Sequence, residues 1–312
     1  MTILVVGGAG FIGRRMIPLL VARGEQVVCA DINTAAAAPI FEPLGEAVRM
    51  VRADVTQFDD MVRLVADVKP KTLVNLSYFI GSDMPPHLAT KLNVVGMDNC
   101  FEAARLGGVQ HTVFASSLAV SGQQKNFGER LVNEDDAKYG TLQYAFNKIF
   151  NEFQAQDYRE KYGMTITCVR PANVTGPDKV DGSIDHVQCM VMPARGKPVS
   201  FPYADAMRCP IHVDDIAEVF ARVATTDKPK HTTYNSGGHT ISMGDLAKIV
   251  REFLPDAQIT FKHETGGKDA SGNYLIDNSR AVEEFSLQYP AFRDRVRQII
   301  NTVRRQEGLP TV

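Results

Sequence analysis

The 312-residue sequence has no tryptophan, no C-x-x-C cysteine pair and no excess of one charge: 34 lysines and arginines face 36 aspartates and glutamates. Each absence removes a class of function. A nucleic-acid or anionic-membrane partner needs a basic face to neutralise phosphates, and the formal net charge of −2 offers none. No apolar run approaches the roughly 20 residues that span a bilayer. The amino terminus enters an apolar run at Ile3 with no basic segment or cleavage site ahead of it, so no secretory leader is expected. The five cysteines (Cys29, Cys100, Cys168, Cys189, Cys209) are odd in number and scattered, which argues against a disulfide framework and suits a reducing cytoplasm. His186 and Cys189 lie three apart, but a zinc site takes about four such ligands. No partner cluster is near, and no metal is expected. With 44% hydrophobic and 22% charged residues, the chain still has material for a sizeable core.

What is present is alternation. Ile3–Val6 reads as a short buried strand, followed by a helix from about Phe11 to Ala22 that Gly24 ends. Strands are expected at Gln26–Asp31, Val48–Arg52, Lys71–Ser77, His111–Ser116 and Met164–Arg170, with helices at Phe58–Val68, His87–Leu106 and Tyr144–Tyr162. Strand and helix in strict succession predict an α/β fold, a doubly wound parallel sheet with helices on both faces. Beyond Pro171 prolines and glycines become frequent and the alternation fails. Residues 1–171, with returning segments near 207–237, are therefore expected to form a Rossmann domain. Residues 172–206 and 238–312 are expected to form a smaller substrate-binding lobe.

The turn after the first strand is Gly7-Gly8-Ala9-Gly10-Phe11-Ile12-Gly13, a G-x-x-G-x-x-G spacing that opens the first helix. Glycines there let the backbone turn tightly and approach a pyrophosphate, whose charge meets the N–H groups at the helix start. Asp31 closes the second strand, where a carboxylate can accept hydrogen bonds from ribose hydroxyls and repel a 2′-phosphate. NAD is therefore expected over NADP. Arg14 and Arg15 are read as a solvated helix face. Asp54 and Val55, after the third strand, are placed near an adenine. Leu76 and Pro171, at the ends of the fourth and sixth strands, are placed near the rest of the cofactor.

Tyr144 and Lys148 stand four apart on one helix face. A tyrosine with its ordinary pKa near 10 is a poor base at neutral pH, and a neighbouring ammonium and a positive nicotinamide ring both favour its phenolate. Ser117 ends the fifth strand, on the side where a parallel sheet binds ligands, and can hydrogen-bond an oxygen passing between alcohol and carbonyl. Ser116 is better suited to capping the strand end.

With these motifs assembled, the sequence resembles the extended short-chain dehydrogenase/reductases, the NAD-dependent epimerase/dehydratase family. The likeness spans nearly the whole chain. It runs through Gly7, Gly10 and Gly13, Asn93-Val-Val-Gly96, Val113-Phe-Ala-Ser-Ser117, Tyr144 and Lys148, Arg170-Pro-Ala-Asn173-Val-Thr-Gly176-Pro177, and His212-Val-Asp-Asp215. The resemblance implies Tyr144 as acid/base, Lys148 also holding the nicotinamide ribose, Ser117 orienting substrate and Asn93 lining the nicotinamide end. It further implies a homodimer formed through the helices at 91–106 and 144–162.

Departures from the family pattern narrow the reaction. Ser117 is followed by Leu118-Ala119, not by the acidic pair of the sugar-nucleotide dehydratases. Nucleotide-sugar epimerases of the family hold a diphosphate with two arginines. Arg208 sits where the first belongs, but the stretch that should carry the second offers Lys262 and Lys268, which lack the bidentate fork. The carboxy-terminal lobe is most similar to the L-threonine 3-dehydrogenase-like branch, at Thr233-Tyr-Asn235, Ile241–Leu246, Phe253–Phe261 and Asp277–Arg280. Tyr78, Phe79, Ile80, Met84 and Pro85 are expected to form an apolar wall, and Tyr78, Ser117, Asn173 and Arg208 to meet the substrate. The expected function is NAD-dependent hydride transfer at a secondary alcohol of a small sugar, sugar acid, hydroxy acid or amino acid. The alternative is epimerisation of a sugar or nucleotide sugar through a transient ketone, with NAD kept bound.

Overall fold

The computed structural model describes residues 1–80, 84–269 and 272–312. Its centre is a seven-stranded sheet. The strands are β1 (Thr2–Val6), β2 (Gln26–Asp31), β3 (Val48–Arg52), β4 (Thr72–Asn75), β5 (His111–Ala115), β6 (Ile166–Arg170) and a short last strand, Thr233–Asn235. Every pairing is parallel, and the spatial order runs β3, β2, β1, β4, β5, β6, then Thr233–Asn235. The order reverses direction between β1 and β4, and in such sheets the ligand crevice opens there, outside the carboxyl ends of the strands.

The two faces of the sheet are covered by different helices, because successive side chains of a strand point to opposite sides. Ile3 and Val5 pack on one face with Met16, Ile17 and Leu20 of the helix Gly13–Ala22 and with Ile216 and Phe220 of the helix Val213–Thr225. Leu4 and Val6 pack on the other with Leu64, Val65, Cys100 and Ala103, from the helices Phe58–Val68 and Gly96–Leu106. β4 and β6 are buried along their whole length, as strands covered on both faces must be. A separate core gathers Val187, Met190, Leu246, Val250, Ile299 and Val303 from the helices Asp185–Ala194, Met243–Phe253 and Phe292–Gln306. Tyr274, Ala281, Phe285 and Leu287 pack into the main core, although they lie late in the chain.

The strands β2 and β3 and the helix Phe58–Val68 coincide with the sequence expectation residue for residue. The helix expected over 87–106 is interrupted. Pro86–Thr90 leads into a π-helical turn, Lys91–Val95, before the α-helix resumes at Gly96. Short helical turns between Ala35 and Ala47 carried no sequence signal. Among the described residues, no helix is long and apolar enough to cross a membrane.

Candidate active site

The turn after β1 is as tight as its glycines allow. Gly7 adopts φ +75°, and a Cβ there would lie 2.5 Å from the backbone nitrogen of Ser77. A Cβ on Gly13 would lie 2.4 Å from the Gly8 carbonyl oxygen, so the helix start and the turn touch backbone to backbone. Gly10 is exposed, with its N–H donated back to Gly7 at 3.1 Å. Phe11 packs on Gly176 and joins the turn to the segment after β6. A narrow glycine turn opening a helix start is the cradle a pyrophosphate needs, so these residues fit a dinucleotide.

Asp31 lies beside this turn at the end of β2. Its carboxylate accepts from Ala9 N–H and from Asn33 N–H, both at 3.1 Å, which joins the turn to the strand end. Asp54 falls two residues past β3 and accepts the Thr56 N–H at 2.9 Å, closing a local turn. Val55 is buried against Gly96 and its carbonyl accepts from Asn99. Leu76 continues β4, its N–H bonded to Val6, and the Pro171 carbonyl accepts from Leu118. Arg14 and Arg15 are not a solvated face. Both pair with Asp178, Arg15 through two bonds at 2.9 and 2.7 Å and Arg14 at 3.0 Å. They clamp the segment after β6 over the start of the first helix, an arrangement that 164 residues of separation hid from sequence reasoning.

At the carboxyl ends of β4 and β5 the catalytic candidates converge. Ser117 holds an extended conformation and its hydroxyl accepts from Ala119 N–H at 3.1 Å. Tyr144 and Lys148 enter from the first turns of the helix Gln143–Tyr162. Tyr144 meets Tyr78 edge-on, with ring centroids 5.5 Å apart. The Lys148 ammonium lies 3.1 Å from the centroid of the Tyr78 ring and 5.8 Å from that of Tyr144, and donates to the Ala115 carbonyl at 2.5 Å. Burial raises the Tyr144 phenol's pKa, with Ser117 pulling it back, and burial holds Lys148 well below the ordinary lysine range.

One group that sequence reasoning missed, Glu152, positions this helix. Glu152, one turn beyond Lys148, accepts from Arg170 through two bonds at 2.8 and 2.7 Å, from Ser116 Oγ at 2.6 Å and from Lys138 at 2.9 Å. Ser116 thus serves the helix and not a strand-end cap. The spacing of Tyr144, Lys148 and Glu152 was visible in the sequence, but not that Arg170 would face it. Asn93 sits in the π-helical turn, where its amide accepts from Phe79 N–H at 2.9 Å and donates to the Phe79 carbonyl at 3.0 Å. The irregular turn lets the Asn93 carbonyl accept instead from buried Asn151, at 3.1 Å. Both polar atoms of the Asn93 side chain are therefore engaged by the loop after β4.

The substrate candidates divide. Tyr78 and Ser117 border Tyr144. Asn173 uses its side chain to accept the Cys209 N–H at 2.9 Å and so holds β6's continuation against the neighbouring segment. Arg208 is buried, with its guanidinium forked onto Asp185, the first residue of the helix Asp185–Ala194. Burial pushes the Asp185 carboxyl up, but His186 and Arg208 hold it well below the ordinary carboxylate range. The guanidinium expected to meet the substrate is paired with a carboxylate.

A profile of the NAD dependent epimerase/dehydratase family matches residues 3–237. The UDP-glucose 4-epimerase of Mycolicibacterium smegmatis is 30% identical over 232 residues, covering 71% of this chain and 72% of that protein. Among solved structures, the Thermus thermophilus UDP-glucose 4-epimerase in complex with NAD superposes with a TM-score of 0.83 at 23% identity, over 97% of this chain and 99% of that one. A partial-consensus L-threonine 3-dehydrogenase superposes with a TM-score of 0.84 at 18% identity, over 98% of this chain and 100% of its own.

Proposed function

The chain belongs to the NAD-dependent epimerase/dehydratase family, and on that premise we propose that it transfers a hydride between NAD and a secondary alcohol of a small polar substrate through Ser117, Tyr144 and Lys148. It is an NAD-dependent enzyme of the extended short-chain type. The observation that carries the proposal is the convergence of those three side chains at the carboxyl ends of β4 and β5. NAD supplies the hydride acceptor. In this reading Ser117 Oγ holds the substrate oxygen, Tyr144 takes the hydroxyl proton as a phenolate, and Lys148 supports that charge and the ribose. Gly7, Gly10, Phe11, Ile12 and Gly13 would take the pyrophosphate. Asp31 would take the adenosine ribose, Asp54 and Val55 the adenine, and Leu76, Asn93 and Pro171 the nicotinamide end. Segments 172–206 and 238–312 would carry the substrate.

Two features favour a substrate without a diphosphate. Arg208 is paired with Asp185, and an aromatic ring, Tyr78, stands edge-on to Tyr144. A second reading, epimerisation of a sugar or nucleotide sugar, draws support from the Mycolicibacterium smegmatis relative. Stoichiometry separates the two. A dehydrogenase accumulates NADH with its alcohol, and an epimerase inverts its substrate with no net NADH. Tyr144→Phe should lower turnover by roughly 10²–10⁴-fold while leaving NAD⁺ affinity nearly unchanged. A variant with the parent rate excludes the proposed chemistry.

We further propose a homodimer through the helices at 91–106 and 144–162. Phe146, Phe150 and Phe153 recur on one side of the second helix and are 58%, 48% and 56% exposed, an apolar stripe that a second copy would cover.

A further inference from the structure

We propose that Tyr78 is a positioning residue for the acid–base pair: its ring face seats the Lys148 ammonium, and its edge braces the Tyr144 ring. The inference rests on the reading of Tyr144 and Lys148 as that pair. Lys148 is only 2% exposed, so its charge has lost nearly all hydration. In place of water the ammonium meets the Ala115 carbonyl at 2.5 Å and the Tyr78 ring at 3.1 Å from its centroid. An aromatic face attracts a cation most strongly when both are dehydrated. It therefore opposes the burial that drives Lys148 towards neutrality. The other groups facing Lys148 are Cys168 on β6 and Glu152 on its own helix. Burial keeps the Cys168 thiol protonated, and Glu152 is already engaged by Arg170, Lys138 and Ser116. Tyr144 in turn faces Ser117 and Tyr78.

The backbone around Tyr78 is held on both sides, as a positioning role requires. Ser77 N–H is accepted by the Asn75 side chain at 2.9 Å, and the Phe79 N–H and carbonyl are both bonded to the Asn93 amide. The Tyr78 hydroxyl, in contrast, is buried with no hydrogen-bond partner among the described residues. A buried hydroxyl without a partner costs stability, so the position uses the ring, and phenylalanine should serve there.

The test compares Tyr78→Phe, Tyr78→Met and Tyr78→Leu in the nucleotide-free protein. The loss of the Lys148 proton is followed by nuclear magnetic resonance of isotope-labelled lysine, assigned with Lys148→Met. Tyr78→Phe should titrate like the parent. Tyr78→Met and Tyr78→Leu should lose the Lys148 proton roughly one pH unit lower, because the ammonium no longer has the ring face that opposes its burial. Parent-like titration in Tyr78→Leu, or a shift in Tyr78→Phe as large as that in Tyr78→Leu, overturns the proposal. A second measurement needs no variant of Tyr78 to fold. The Lys148 ε-methylene resonance in lysine-labelled parent should lie strongly upfield in the ring's current, and an ordinary position overturns the proposal equally. An NAD⁺ titration of the parent tests the functional reading separately. Absent binding removes that reading and leaves the ring-current result standing.

Discussion

Replacing Glu152 by glutamine removes one charge and almost no volume, which makes the cost of the buried network readable. Glu152 and Arg170 are 6% and 2% exposed at the side chain, so little solvent is available to screen the loss. Glutamine can still meet Ser116, but it leaves the Arg170 guanidinium buried without its counter-charge. Removing one partner of a buried pair costs about 3–5 kcal/mol. A second route gives a similar size. Burial raises the Glu152 pKa, yet Arg170, Lys138 and Ser116 bring it down from 4.5 to about 2, and a displacement of that size is worth about 3 kcal/mol. The sign follows from the depressed folded pKa. The contribution is full above about pH 4.5 and is lost as the pH falls through about 2. Equilibrium urea unfolding at one protein concentration should show Glu152→Gln about 3 kcal/mol less stable than the parent at neutral pH. The gap should shrink as the pH falls from about 4.5, where Glu152 of the unfolded parent takes up a proton, and close near about 2, where that of the folded parent does. A variant within about 0.5 kcal/mol of the parent at neutral pH, or a gap independent of pH, would refute the network as the anchor of the Tyr144 helix.

Lys148→Met should lower turnover, move the pH optimum upward because the phenol becomes harder to ionise, and weaken NAD⁺ binding. An unchanged profile with unchanged affinity, measured by kinetics and calorimetry, would return Lys148 to a structural role. NAD⁺ should bind far more tightly than NADP⁺, and Asp31→Ala should narrow the difference; equal affinities in the parent would sink the assignment of Asp31. Asp185→Asn should release Arg208, and calorimetry should then detect UDP binding that the parent lacks. Tight UDP binding by the parent would instead favour the nucleotide-sugar reading. Phe150→Glu should yield a monomer by analytical sedimentation, and an unchanged assembly would move the interface elsewhere.

The apolar periods of β1 to β6, the glycines after β1, Asp31 at the end of β2 and the Tyr144–Lys148 spacing were all legible in the chain, because each is a local pattern. Strand burial shows as a run of apolar residues, a tight turn shows as glycine, and one helical turn shows as a four-residue interval. Partners chosen through space left no such mark. Arg208 is expected to meet the substrate, but the sequence does not show that its guanidinium pairs with Asp185, which lies 23 residues earlier. Arg14 and Arg15 were read as solvated, but they meet Asp178 across the fold. Asn93, in a π-helical turn, holds the loop after β4, and Tyr78 from that loop lies under Lys148. A charge or a ring declares its chemistry in the sequence, but its partner is whatever the packed layers bring within a few ångströms. Only the tertiary structure decided which charges were left for a ligand.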